Sequence, residues 1–305
     1  MNARAVSLRG GERPRNALAV GLDLFRLCKP RVTVMVIVTA LGGMWLASRM
    51  TGAEVTLETA LAALTGITLV VASANALNMY LERDADALME RTKNRPLPTG
   101  RLAPAVALWW GLGLGAVSIP LAGLLVNWLT AALAAISLFL YVAVYTPLKR
   151  VSPVALLVGA VPGAAPPLLG WTSATASVDA AGIALFAMLF FWQLPHFLAI
   201  ATFRREEYER AGIRVLPSVR GQRATRIQAV VFTVALLVSS LTLVPLGVDG
   251  PVYLINAIVL GGFFLAVSLR GFPTDAPSPV RWARSVFAVS LVYLPLMIAA
   301  MMVSA

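Results

Sequence analysis

Apolar runs of about twenty residues recur along the whole chain, and each is long enough to cross a bilayer. Nine can be placed, at roughly 32–48, 57–81, 104–125, 128–146, 153–171, 180–201, 227–246, 252–269 and 283–303. A 305-residue chain that is 59% apolar and 13% charged leaves little sequence for anything else. In lipid each backbone polar group has to be satisfied within its own segment, so spans of this kind are helices. The expected fold is therefore all-α, a polytopic membrane protein of about nine transmembrane helices. Several spans carry Pro or Gly, as in VGAVPGAAPPLLGW, which neighbouring helices accommodate.

The net charge of +11 raises the question of nucleic acid, and its distribution excludes it. Seven Lys or Arg precede the first span, and the segments after the second, fourth, sixth and eighth spans carry five, two, seven and three. Only Arg49 is left for the other side. The positive-inside rule then places the N-terminus in the cytoplasm and the C-terminus outside; the expected location is a bacterial inner membrane. Residues 1–29 read as a basic cytoplasmic tail, with Arg4, Arg9, Arg13, Arg15, Arg26 and Lys29, and residues 30–305 as one transmembrane domain. The apolar piece Ala17 to Phe25 is short and broken by Asp23, so it does not read as a signal peptide; an Arg-rich organelle-targeting segment is the alternative. FRLCKPR, Phe25 to Arg31, reads as an interfacial lead-in to the first span. Cys28 is the only cysteine and His196 the only histidine, which excludes an intrachain disulfide and multi-His metal clusters.

The most informative stretch is NALNMYLERDADALMERTKNRPLPTGR, Asn75 to Arg101. Asn78, Glu82 and Asp86 stand at i, i+4 and i+8 and share one helical face. Two carboxylates and an amide oxygen at that spacing suit a hard cation such as Mg²⁺. Asp84 points elsewhere on an ideal helix. Arg91, Lys93, Arg95 and Arg101 follow, and acids that hold Mg²⁺ beside bases that hold phosphate match a diphosphate substrate. A membrane-helix end with solvated charges would carry the same letters.

Span four ends in Tyr141, Tyr145 and Lys149, again at i, i+4 and i+8, followed by Arg150. This is a hydroxyl-and-cation wall for diphosphate, or an interfacial aromatic belt with snorkelling bases. Span six ends in FFWQLPHFLAIATFRREEYERAGIRVLP. Gln193 and His196 are polar groups at membrane depth, where such groups are costly and mark sites. A helix-end histidine bonded to a backbone carbonyl is the structural alternative, with Trp192 and Phe197 as interface aromatics. Arg204, Arg205, Glu206, Glu207 and Tyr208 renew the theme of acids beside bases, which a solvated surface run also produces. The loops at about 82–103 and 202–226 share acid, base, Leu-Pro and Gly in that order, four spans apart. A duplicated four-helix unit with one extra helix gives this pattern, with the site where the halves meet.

Taken together, NMYLERDADALMERTKNRPLP, YTPLKR, GAVPGAAPPLLGW and WQLPHFLAIATFRREEYERAGIRVLP resemble the haem O synthases, or protoheme IX farnesyltransferases, a branch of the UbiA-type intramembrane prenyltransferases. The resemblance covers about residues 25–300. The superfamily's NxxxDxxxD motif falls on Asn78, Glu82 and Asp86, with Glu in place of its first Asp. Its second acidic motif has no close copy; the spacing puts His196 and Phe203 at its acids, with Glu206 and Glu207 the nearest carboxylates.

The resemblance implies nine spans around a central cavity open to lipid, farnesyl diphosphate and haem b as substrates, and Mg²⁺ as cofactor. The haem 2-vinyl group would attack C1 of the farnesyl group, and water would then add to give the hydroxyethylfarnesyl side chain. Asn78, Glu82 and Asp86 would position metal and diphosphate. Lys149, Arg91, Arg95, Arg150 and Tyr145 would face the phosphates. His196, Gln193, Trp192 and Arg204 would line the haem site. Further partners would be the lipid bilayer, and haem A synthase or terminal-oxidase assembly factors. Three other readings stand beside this: a UbiA-type transferase with an aromatic or quinone-precursor acceptor, a transporter, and a haem-handling membrane protein without catalysis.

Overall fold

A computed structural model describes residues 16–248, 250–272 and 277–304. Arg4, Arg9, Arg13 and Arg15 of the expected tail lie outside the described residues. The helices, in order, are α1 Ala17–Leu27, α2 Pro30–Thr51, α3 Leu57–Ala87, α4 Pro104–Leu125 and α5 Trp128–Phe139. A π-helical turn, Leu140–Tyr145, and α6 Thr146–Leu148 continue α5 as one span. Then come α7 Ala155–Thr175, α8 Ala180–Phe203, α9 Arg205–Arg210, α10 Leu216–Val219, α11 Gly221–Thr242, α12 Pro251–Leu269 and α13 Pro279–Ser304. Among the described residues nine helices are long and apolar enough to cross a membrane, and they coincide with the nine expected spans.

Two ends differ most from the sequence reading. α3 runs on to Ala87 and α11 begins at Gly221, because the helical hydrogen-bond ladder continues through polar residues where the apolar run has stopped. Helix starts follow local chemistry. Pro30, Pro104, Pro251 and Pro279 each open a helix, where a missing N–H costs nothing. Thr56, Asn127 and Asp179 cap α3, α5 and α8 by accepting from the backbone N–H of Thr59, Thr130 and Gly182.

In lipid, helices associate by close packing, which small residues permit. α2 and α7 meet this way: a Cβ on Gly43 would collide with the Pro167 carbonyl, and one on Gly170 with the Ala40 carbonyl. α3 packs on α4 across the first polar loop, and α8 packs on α11 across the second, so the two halves share this pairing.

α1 is a docked surface helix within what the sequence presents as a tail. Leu18, Leu22 and Phe25 face outward, while Leu27 packs with Ala76, Met79, Leu97 and Leu102. Asp23 is 3% exposed. It accepts from Arg26 Nη1 at 2.9 Å and from Arg101 Nε at 3.1 Å, which ties α1 to the loop after α3. The residue that breaks the apolar run is thus the one that anchors the helix.

Candidate active site

α3 builds the site. Its 31 residues extend about 46 Å, against a hydrocarbon core of about 30 Å, so its last turns emerge on the basic side. Asn78, Glu82 and Asp86 do share one face, and all three are buried, at 2%, 9% and 1% exposure. Buried charge and amide need partners, and these come from distant parts of the chain for Asn78 and Glu82 and from the next loop for Asp86. Glu82 Oε1 accepts from Lys149 Nζ at 2.8 Å. Asp86 Oδ2 accepts from Arg95 Nη1 at 2.6 Å. Asn78 Oδ1 accepts from Lys29 Nζ at 3.2 Å, and its Nδ2 donates to Thr146 Oγ1 at 3.1 Å. The Lys149 ammonium lies 4.4 Å from the centre of the Tyr145 ring, which packs on Tyr141.

Lys29 and Thr146 were not singled out as site residues in the sequence. Lys29 follows α1 with a left-handed backbone, φ +48°, immediately before Pro30. The adjacent Cys28 carbonyl is held by Thr33 Oγ1 at 2.8 Å and Asn75 Nδ2 at 3.4 Å. The turn therefore delivers the ammonium to Asn78. Thr146 follows the π-turn of span four, a local widening of the helix of the kind that recurs at functional positions. The only sequence signal for Lys29 was a base at the same membrane boundary as Asn78.

The electrostatics follow from this crowding. Burial, followed by the positive charges of Arg95 and Lys149, pushes the Lys29 ammonium down to about 7, with Glu82 and Asp86 pulling the other way. Burial alone would lower Lys149 too, but the oxygens of Tyr145, Glu82 and Tyr141 override it and hold that ammonium above its ordinary value.

Three loops converge here. Ala85 and Met89 pack with Ala211, Ile213 and Tyr208 of the second polar loop, and the Arg214 N–H donates to the Lys149 carbonyl at 2.9 Å. Arg91 and Arg150 are exposed and make no ion pair among the described residues, so they stand at the rim. Asp84 points away, beside Arg83. Of the second-loop acids, Glu206 is exposed, Glu207 pairs with Arg204 at 2.6 Å and Glu209 with Arg205 at 2.7 Å. Among the described residues there is no group of three or more His, Cys, Asp or Glu able to hold a metal. The set competent for a metal is two carboxylates and an amide.

The residues of span six do not form one wall. Gln193 donates to the Ala160 carbonyl at 2.9 Å and turns toward α7. His196 and Trp192 turn toward α13, where His196 Nδ1 lies 2.7 Å from Ser290 Oγ and Trp192 Nε1 donates to the Ser290 carbonyl at 2.8 Å. Arg204 is engaged by Glu207.

The profile of the UbiA prenyltransferase family matches residues 36–301. The chain is 52% identical over 282 residues to a protoheme IX farnesyltransferase of Sorangium cellulosum, covering 89% of this chain and all of that one. Its fold is similar to that of a solved digeranylgeranylglyceryl phosphate synthase, with a TM-score of 0.80 at 16% identity over 94% of this chain and 98% of that one. It is also similar to a UbiA homologue from Archaeoglobus fulgidus bound to DMAPP and Mg²⁺, with a TM-score of 0.61 at 16% identity over 92% and 99%. A profile spanning most of the chain and a relative matched over its full length place it by descent as well as by fold: the chain belongs to the UbiA prenyltransferase family, in the group of the protoheme IX farnesyltransferases.

Proposed function

We propose that this protein transfers the farnesyl group of farnesyl diphosphate to the 2-vinyl group of haem b, releasing diphosphate and giving hydroxyethylfarnesyl haem, haem O, for haem-copper oxidases. The observation that carries the site assignment is the convergence of Lys29, Arg95 and Lys149 on the buried face of Asn78, Glu82 and Asp86. Arg95 and Lys149 offset the two carboxylates, and the protonated fraction of Lys29 tips the face positive, which suits a diphosphate.

The donor set also suits Mg²⁺, because every candidate ligand is an oxygen. Lys149 and Arg95 each engage one carboxylate oxygen, while Glu82 Oε2 and Asp86 Oδ1 make no hydrogen bond among the described residues. Asn78, Glu82 and Asp86 would hold the ion. When bound, it supplies charge neutralisation to the leaving diphosphate, as the Mg²⁺ and DMAPP bound by the Archaeoglobus fulgidus homologue suggest by analogy.

Lys149, Lys29 and Arg95 stabilise negative charge as the C1–O bond of the donor breaks. Positive charge develops on the allylic C1, the vinyl π electrons form the new C–C bond, and water adds to the resulting cation with loss of a proton. A site at the membrane boundary excludes bulk water from C1. We read residues 30–305 as one catalytic transmembrane unit, with the basic segment 1–29 contributing the docked α1, and the basic face as cytoplasmic. Haem A synthase or terminal-oxidase assembly factors would take the product onward.

The experiment is to incubate the purified protein in lipid nanodiscs with farnesyl diphosphate, Mg²⁺ and either haem b or 4-hydroxybenzoate. Farnesylated haem is the expected product. Prenylated hydroxybenzoate alone, or no transfer to either acceptor, overturns the reading.

A further inference from the structure

His196 is the only histidine in the chain, and its neighbours decide which ring nitrogen carries the proton. Nδ1 lies 2.7 Å from Ser290 Oγ. The same hydroxyl lies 2.6 Å from the Phe287 carbonyl, which can only accept. A serine hydroxyl has one proton. With that proton directed at Phe287, the serine oxygen offers only lone pairs to the imidazole, so Nδ1 has to be the donor. Neutral imidazole carries a single N–H, and Nε2 is then left with a bare lone pair.

Nothing among the described residues hydrogen-bonds Nε2. It is also not one of the buried, unpartnered side-chain polar atoms, which among the described residues are Ser218 Oγ, Gln222 Oε1 and Arg226 Nε. The ring itself is held in place. Trp192 stacks on it at 5.1 Å and 23°, Phe287 packs at 4.8 Å, and Trp192 is tied to the Ser290 carbonyl. α8 and α13 therefore fix the imidazole from several sides and leave one polar atom unused.

We propose that Ser290 is a positioning residue that fixes His196 as the Nδ1–H tautomer, so that Nε2 presents its lone pair to the iron of the substrate haem. This rests on the reading of His196 as a haem-facing residue. An outer partner of this kind sets ring orientation and tautomer and raises ligand basicity. It also separates two roles open to an imidazole beside haem, iron ligand and propionate donor. A neutral His196 in this tautomer cannot donate from Nε2 to a haem propionate, and an iron porphyrin is the ligand class that matches a bare imidazole nitrogen in an aromatic surround.

With one histidine, isotopic labelling of that amino acid gives one imidazole to observe. Nitrogen NMR of the full-length protein without haem is expected to show Nδ1 protonated and Nε2 bare at neutral pH. Ser290→Ala should shift the population toward Nε2–H, and Ser290→Thr, which keeps a hydroxyl, should hold the parent tautomer. Titration with haem b, followed by the Soret band, should then show binding about tenfold weaker in Ser290→Ala, parent-like binding in Ser290→Thr, and loss of the axial-ligand signature in His196→Ala. A protonated Nε2 in the parent, or an unchanged tautomer in Ser290→Ala, overturns the role of Ser290 and leaves the haem reading of His196 intact. The parent haem spectrum persisting in His196→Ala overturns the haem reading itself, and the iron-facing role with it, whatever the tautomer.

Discussion

Lys149 Nζ and Glu82 Oε1 lie 2.8 Å apart although 67 positions of sequence separate them. Both side chains are largely buried, at 19% and 11% exposure, and the ammonium also sits against the Tyr145 ring. A buried pair of this kind is mainly informative through what its rupture leaves behind, an uncompensated charge.

Lys149→Ala should therefore raise the KM for farnesyl diphosphate and lower kcat, with kcat/KM down about 100-fold if the ammonium acts on the departing diphosphate. Combining it with Glu82→Gln should show non-additivity of about 1–3 kcal/mol in thermal stability, since the two side chains share one contact. Strict additivity in that cycle would show that the pair is not formed in solution. An unchanged donor KM would return Lys149 to the role of a topology charge.

Asp86 is 1% exposed and its partner Arg95 is on the neighbouring loop. Arg95→Ala should cost about 3 kcal/mol by stranding the carboxylate, measured as a fall in unfolding midpoint in detergent. Asp86→Asn removes the charge but keeps the shape. It should leave the protein folded and inserted while abolishing turnover and Mg²⁺ dependence. Full activity at ordinary Mg²⁺ would remove Asp86 from the metal set.

Lys29 adopts a backbone conformation that costs a non-glycine residue roughly 1–3 kcal/mol. Lys29→Gly should relieve that strain and still lose activity, because the ammonium beside Asn78 is gone. A donor KM raised about tenfold is expected for Lys29→Met, with partial rescue by Lys29→Arg. Parent kinetics in Lys29→Met would make the lysine a structural turn residue.

Asp23→Ala should loosen α1 from the loop after α3, because Arg26 and Arg101 lose their shared acceptor. The expected signature is faster hydrogen exchange across Ala17–Leu27 and a smaller rise in donor KM than for Lys29→Met. Unchanged exchange there would mean that apolar contacts alone hold α1.

Gly170→Val should destabilise the protein by forcing α2 and α7 apart where Gly170 meets the Ala40 carbonyl. A loss of about 2–3 kcal/mol is expected, from overpacking. Gly113→Ala is the control: beyond its chain neighbours and its own helical turn, no atom lies within 4 Å of a Cβ built there, so little change is expected.

The acidic face of α3 was legible because it is a local property: i, i+4 and i+8 share a face on any helix, whatever surrounds it. The span count was legible for a similar reason, since bilayer thickness sets the length of each apolar run. Other assignments were less determinate. Arg91, Arg95 and Arg150 look alike in sequence, and folding takes Arg95 to Asp86 while leaving the other two at the rim. Arg204 was a candidate for lining the haem site, and the structure gives it Glu207. Ser290 gave no signal, because a lone serine in an apolar helix normally bonds its own backbone, which it also does here.

The sequence by itself determined what depends on neighbours a few residues away: nine spans, a strongly one-sided distribution of basic residues, and two carboxylates with an amide on one helical face at the membrane boundary. Tertiary structure decided which distant group meets each of them. Lys29 reaches Asn78 across 49 positions, Thr146 reaches it across 68, and Ser290 reaches His196 across 94. Helical periodicity is a short-range constraint, whereas these pairings depend on how whole helices pack. In lipid that packing is governed by where small residues such as Gly43 and Gly170 let two backbones approach.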